Sequence, residues 1–321
     1  MDDPRPAAGA PIDELMELVQ GVRRELLLRE EAPTGDWVER SATALKTGEQ
    51  VGWYYPSDTG GGLAFFSTRD GEAFGHVHVT PAPDARERAL RLSERLLDGL
   101  PAPVRSAAVG FTGLAVEDER SLLATLSVRP GSTVIERRAM ERTIAAGDEG
   151  SAGPAPADLK FVPIRSITLD ALADLDVRAF AGSVDALLIG SDPAHYRFVL
   201  ETILDGQLGS FLDRASTGLY RPDPPRLVAA LLSVEQSARR AVFVDFMVDP
   251  GEQRRGYGAF LLRWGFRALR SLGYERVRLW VSVTNTAAVR LYEAHGFRTT
   301  TTASIYRWVR VGDPTQAHPG R

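Results

Sequence analysis

The sequence predicts an α/β protein of the α+β kind, made of two tandem halves that each form a mixed, mostly antiparallel sheet flanked by helices. Three observations carry this expectation. Apolar residues recur at strand and helix spacing, and each half runs through strands first and then a βαβα order. A small Gly/Pro/Ala-rich stretch, Ile144–Ala157, lies between them. The halves also align at a nearly constant offset, Val79-Thr80-Pro81 on Val248-Asp249-Pro250 and Val116 on Val283, as a duplicated unit would. The expected organisation is a first domain over 1–143, a linker over 144–159, a second domain over 160–311 and a flexible tail over 312–321, with the first ten residues frayed as well.

In the first half the expected elements are a strand Val51–Tyr55, a hairpin Leu63–Val79 turning at Asp70-Gly71, a helix Asp84–Leu100, a strand Val104–Phe111, a helix Glu117–Leu126 and a strand Thr133–Met140. In the second half they are a strand Phe161–Arg165, helices Leu169–Ala181 and Pro193–Leu204, and strands Arg226–Val234 and Ala241–Val248 around a polar turn Glu235–Arg240. A helix over 256–272 follows, with Leu261, Trp264, Ala268, Leu269 and Leu272 on its apolar face. The strand Arg276–Val283, the helix Thr286–Ala294 and a strand near Ser304–Val311 complete the order.

With 38 Lys+Arg against 42 Asp+Glu and no basic block, the chain is not built to neutralise nucleic-acid phosphates or anionic lipid. The cysteine count is 0, which excludes disulfides, thiolate metal sites and a cysteine nucleophile. His76 and His78 stand i, i+2 on one strand face without a third ligand, so no metal is expected. An acidic, Pro/Ala-rich start and the lack of a long apolar run point to a cytoplasmic location.

The most informative stretch is Val244–Leu262, where a strand ends at Val248 and Gln253-Arg254-Arg255-Gly256-Tyr257-Gly258-Ala259 opens an apolar-periodic helix. Amides of such a turn point one way and the helix dipole adds positive charge, so a pyrophosphate can be held largely by main chain. Glycines at 256 and 258 let it approach. The third Rossmann glycine and the Walker A lysine are both missing.

Residues 160–311 resemble the GCN5-related N-acetyltransferase (GNAT) family. Its Gln/Arg-x-x-Gly-x-Gly/Ala signature is matched by Gln253, Gly256 and Gly258, and its Asn-x-x-Ala-x-x-Leu-Tyr-x-x-x-Gly-Phe element by Asn285, Ala288, Leu291, Tyr292, Gly296 and Phe297. The resemblance implies acetyl-CoA as co-substrate, with pantetheine on the strand backbone at Met247 and Val248 and the pyrophosphate on amides of 254–259. Asn285 would cap the last helix near the cofactor.

By the same resemblance Tyr292 protonates the departing thiolate; read from the residue alone, an aromatic at helical spacing is a core residue. The base is open. Many relatives carry Glu on the strand before the phosphate turn, whereas here only Asp245 stands nearby; a carboxylate in an apolar strand is either catalytic or the partner of an arginine. Trp280 replaces a Glu frequent in branches that acetylate protein N-termini. In the first half Asp84 and Glu87 stand where the glycine signature would be, Asp118 takes the place of Asn285, and no tyrosine matches Tyr292. That half is expected to be a degenerate GNAT-like domain, a tandem layout also found in mycothiol synthase.

The implied function is direct acetyl transfer to a small-molecule amine by a monomer or homodimer. Its rivals are a non-catalytic acyl-CoA-binding sensor or scaffold, a mycothiol-synthase-like enzyme and a protein acetyltransferase.

Overall fold

The computed structural model describes residues 3–28, 36–69, 71–150, 156–189 and 193–311. The first stretch of chain forms β1 (Arg5–Pro6), α1 (Ile12–Leu28), α2 (Trp37–Thr47), β2 (Val51–Tyr55), β3 (Gly62–Arg69), β4 (Glu72–Val79), α3 (Ala85–Asp98), β5 (Ser106–Thr112), α4 (Val116–Leu126) and β6 (Ser132–Thr143). The remainder forms β7 (Lys160–Pro163), α5 (Leu169–Phe180), α6 (Ala186–Ile189), α7 (Pro193–Leu204), β8 (Thr217–Pro222), β9 (Pro225–Ser237), β10 (Arg240–Val248), α8 (Tyr257–Ser271), β11 (Arg276–Ser282), α9 (Thr286–Ala294) and β12 (Arg298–Val309). The mixed α/β class is as expected. β1, α1, α2, α6 and β8 are additional, and β9 extends through Glu235, which therefore lies in a strand and not in the polar turn.

The chain divides into two compact units, Met1–Ile135 with Ser304–Arg321, and Glu136–Ala303. This differs from the contiguous halves expected, because each repeat's last strand serves the other unit. In the first unit, Ile305–Val309 of β12 pairs antiparallel with β5, and Tyr306 and Trp308 join the core beneath α3 and α4. Arg307 is buried there and donates to Glu72 at 2.8 Å, and Ser106 donates to the same carboxylate. A slip of the strand would strand that charge, so the ion pair holds the register. On the opposite face of this sheet, α1 and α2 pack through Leu15, Leu18, Val19, Val22, Ala42 and Leu45.

In the second unit the strand order is β6-β11-β10-β9-β8-β7. Arg137–Thr143 of β6 pairs with β11, and Met140 and Ile144 belong to the core under α8. The other face is covered by α5 and α7 through Leu172, Leu175, Tyr196, Leu200 and Ile203.

Two boundary expectations are corrected. Residues 144–150 are not a linker: Ile144 is buried, its amide donates to the Glu275 carbonyl, Asp148 accepts from Arg142 at 2.7 and 2.9 Å, and the turn Ala146–Gly150 packs on α8. The N-terminus is not frayed from residue 3 onward, since β1 pairs with β2 and Ala7 and Ala10 are buried. Residues 151–155 of the expected linker, the tail 312–321 and Asp70 of the hairpin turn lie outside the described residues. Among the described residues no helix is long and apolar enough to cross a membrane.

A fragment 160–311 would lose β6, Met140 and Ile144 from its core. We expect it to stay largely unfolded by circular dichroism. In the full chain, Met140→Ala should lower stability by about 2–5 kcal/mol in urea unfolding.

Candidate active site

β10 and β11 run parallel but pair only at Arg240, Ala241 and Val242. Beyond them a register shift between Phe243 and Asp245 on the β9 side bends β10, as bulges do. The strands part, and a cavity of about 560 Å³ opens within the second unit. The β10 edge facing it has no strand partner beyond Val242 among the described residues, which leaves backbone of the Met247–Val248 stretch available to an extended ligand. Val248 lines the cavity, while the Met247 side chain is buried under α5 and α7.

At one end of the cavity stands the start of α8. Gly256 is its N-cap at φ 84°, with no side chain capping the first turn. A Cβ at Gly256 would meet nothing within 4 Å, and one at Gly258 would come to 3.2 Å from Leu291. Uncapped amides, open space and a helix dipole together suit an anion. Gln253, Arg254, Gly256, Tyr257, Gly258 and Ala259 line this end. Arg255 does not; its guanidinium is 3.4 Å from the buried Glu252, which also binds Arg221 at 2.8 Å and Arg226. Asp249 caps the preceding turn by accepting from the Gly251 amide at 3.0 Å, and Arg178 holds its other oxygen at 2.9 Å.

At the other end the structure brings together Asp245, Tyr292 and Asn285, and adds Asp185, Phe180, Trp280 and Arg137. Burial raises the Tyr292 phenol well above the ordinary tyrosine range, and Asp185 and Asp245 push the same way against Arg137. The hydroxyl therefore stays protonated. Its ring packs on Phe246 and Phe297 at centroid distances of 6.1 and 5.7 Å, so it is a core residue and a cavity residue at once. Burial also raises Asp245. Asn285 caps α9 by accepting from Ala288 N at 3.2 Å, and its amide donates to Asp185 at 3.4 Å. Ser282 donates to the other Asp185 oxygen. His295 is remote from this chemistry, with Nδ1 2.8 Å from the Leu291 carbonyl at a helix end.

Residues 188–297 match the family model described as acetyltransferase (GNAT) family. Over this segment the chain is similar to the GNAT acetyltransferase family. Mycothiol acetyltransferases of Thermobispora bispora and Streptosporangium roseum are 48% and 45% identical to the chain over 60 residues, 19% of it and 20% and 18% of them. The match thus spans about a fifth of the length of those curated relatives. Among solved structures, a GCN5-related N-acetyltransferase from Sphaerobacter thermophilus is similar with a TM-score of 0.62 at 14% identity over 94% of both chains. A tandem GNAT protein from the clavulanic acid biosynthesis pathway is similar with a TM-score of 0.57 at 14% identity, over 99% of this chain and 98% of that one. At such identity the likeness concerns the fold, which both share across nearly the whole tandem length.

The first unit lacks the opening that the second unit has. Its parallel strands β4 and β5 stay paired from Glu72↔Ser106 to His78↔Thr112. Arg88, fully buried at the start of α3, donates to the Gly60, Gly61 and Thr80 carbonyls and to Asp84. A cation of the protein itself is thus buried at the start of α3 and satisfied by main-chain carbonyls. His76 and His78 both hydrogen-bond the Thr112 hydroxyl, at 2.8 and 2.9 Å, and burial lowers His78 to about 4.

Gly256→Glu would place a side chain and a negative charge in the open space of the cradle, so we expect acetyl-CoA binding to fall beyond detection by calorimetry. Glu87→Ala in the first unit should leave it unchanged.

Proposed function

We propose that the chain is an acetyl-CoA-dependent N-acetyltransferase that moves an acetyl group directly to the amine of a small molecule or metabolite, with the second unit catalytic. The observation that carries this is one cavity joining an uncapped, glycine-opened helix start to a buried carboxyl and a protonated phenol. The open space at Gly256 and the unpaired β10 edge fit acetyl-CoA, held by the amides of 254–259, by Gln253 and Arg254, and by backbone at Met247 and Val248. Bound there, it supplies an activated thioester.

Asp245 faces the acceptor side and takes a proton from the incoming ammonium, since only the neutral amine is a nucleophile. Tyr292 then donates its proton as negative charge builds on the sulfur. Asn285 keeps the start of α9 in place, which fixes where the Tyr292 hydroxyl stands. With no cysteine in the chain, no acetyl-enzyme on a thiol intervenes. The acceptor end is walled by Ala179, Phe180, Leu188, Val199 and Ile203, which favours a small acceptor over a protein chain. A second reading, action as a mycothiol acetyltransferase, is favoured by the identity over 60 residues.

A thiol-release assay over a panel of amines, run beside acetyl-CoA calorimetry, tests both. Turnover on a small amine is expected; binding without turnover on any acceptor would instead mark an acyl-CoA sensor.

Tyr292→Phe keeps the ring and removes the proton donor. Acetyl-CoA affinity should persist while kcat falls by about 10²-fold or more. An unchanged kcat, with chemistry rate-limiting, would remove Tyr292 from the mechanism.

A further inference from the structure

Behind the cavity, Asp176 of α5 is 0% exposed. Neither of its carboxyl oxygens has a hydrogen-bond partner of ordinary donor type among the described residues. Across the packing of α5 on β10 its neighbour is Asp245, whose charge it feels and which lines the cavity. Two carboxylates side by side in a dry region repel each other strongly, and one proton held between them turns the repulsion into a hydrogen bond.

The backbone amide of Phe246 hydrogen-bonds Asp245 and favours its ionised form, and no such donor acts on Asp176 among the described residues. Tyr196 from α7 senses Asp176, Asp245 and Asp185, and Tyr292 from α9 senses Asp185 and Asp245. β9 places the apolar Leu232 opposite Asp245. Arg137 of β6 acts on Tyr292, and no cation acts on either member of the pair among the described residues. Burial raises both carboxyls, and Asp176 is raised further by facing Asp245.

We propose that Asp176 is a positioning residue that keeps a proton and donates it in a hydrogen bond to Asp245, so that the two carboxyls form one acid–base unit behind the acceptor end of the cavity. The existence of the shared proton is independent of the acetyl-transfer reading; its role in turnover rests on that reading. In the resting unit Asp245 is ionised and Asp176 is not. An ammonium R–NH₃⁺ gives one proton to Asp245, leaving R–NH₂ with a free electron pair and two protonated carboxyls; as the N–C bond forms and the C–S bond breaks, the nitrogen loses a second proton, which replaces the one Tyr292 gives to the departing thiolate, and the proton on Asp245 passes to water. Asp176 keeps its own proton throughout and holds the Asp245 carboxylate at the edge of the cavity.

Three measurements test this. Infrared spectra at neutral pH should contain the carbonyl band of a protonated carboxyl, and Asp176→Asn should lose it. In urea unfolding, the sign follows from the raised folded-state values: the native chain holds protons that the unfolded chain has released, so the pair's stabilising effect is full below the ordinary carboxyl range and is lost as pH rises through the raised values. Wild-type stability should therefore decline more steeply between pH 5 and 9 than that of Asp176→Asn.

In turnover, Asp176→Leu removes the donor and should move the acid limb of kcat/KM upward by about one pH unit or more. Asp176→Asn, whose amide still donates, should hold the limb near its wild-type place. Absence of the band together with parallel stability curves would overturn the shared proton. A band with an acid limb that Asp176→Leu does not move would overturn the positioning role. Should no amine be acetylated while the band and the steeper slope are present, the acetyl-transfer reading fails and the carboxyl pair stands.

Discussion

The second unit depends on two parallel strands parting after three paired residues. Parallel pairing is continuous wherever nothing interrupts it, and β4 and β5 of the first unit remain paired over their whole shared length. In β10 the shift between Phe243 and Asp245 turns the strand, and the backbone beyond Val242 loses its partner on the β11 side. Unpaired backbone is costly unless something takes its hydrogen bonds. An opening of this kind is maintained because packing on both faces holds the strands: Phe243 against Phe266 of α8, and Met247 and Leu232 under α5 and α7.

The two units show how one architecture gains or loses a ligand site. At the start of α8 a Cβ on Gly256 would meet nothing, whereas at the start of α3 the buried Arg88 satisfies the carbonyls of Gly60, Gly61 and Thr80 from within. The Glu72–Arg307 pair has a comparable structural task, anchoring a strand that comes from the far end of the sequence. Buried charge in the first unit is thus used for self-recognition, whereas in the second it lines a cavity.

Much of this was legible in the sequence. The strand-to-helix turn with Gly256 and Gly258, the Asn285 cap and Tyr292 lie within short, continuous stretches, and the structure gathers them around one cavity. α1 was missed, although Leu15, Leu18, Val19 and Val22 keep helical spacing. The exchange of β6 and β12 was not readable, because a strand's apolar alternation is the same whichever sheet receives it. The same exchange misled the boundary: Ile144 looks like the start of a small-residue linker, yet it is buried beside Glu275, far away in sequence. Asp176, Asp185 and Arg137 were missed for a related reason. Each comes from a different element, and an acidic residue on an amphipathic helix such as α5 ordinarily belongs to its solvated face. The signal available for Asp176 was its position between Leu172 and Leu175 on one side and Phe180 on the other, on the apolar stripe.

Charge is also arranged differently from what the basic turn implies. Arg255 is drawn to Glu252, which Arg221 and Arg226 bind as well, so three arginines serve one buried carboxylate and not a phosphate. The effect on the cradle is indirect. A buried acid close to the amides of α8 would repel an anion there if left ionised and alone, and surrounding it with cations removes that penalty while fixing the turn. Attraction for a phosphate is then left to the uncapped amides, the helix dipole and Arg254 on the cavity wall. At the other end Asp245 and Asp185 line the cavity with Arg137 as the cation beside them, and on the proposed reading the helix start suits an anion and the carboxyls a cation. A cavity with that polarity orders its two ligands by charge before any contact is made between them.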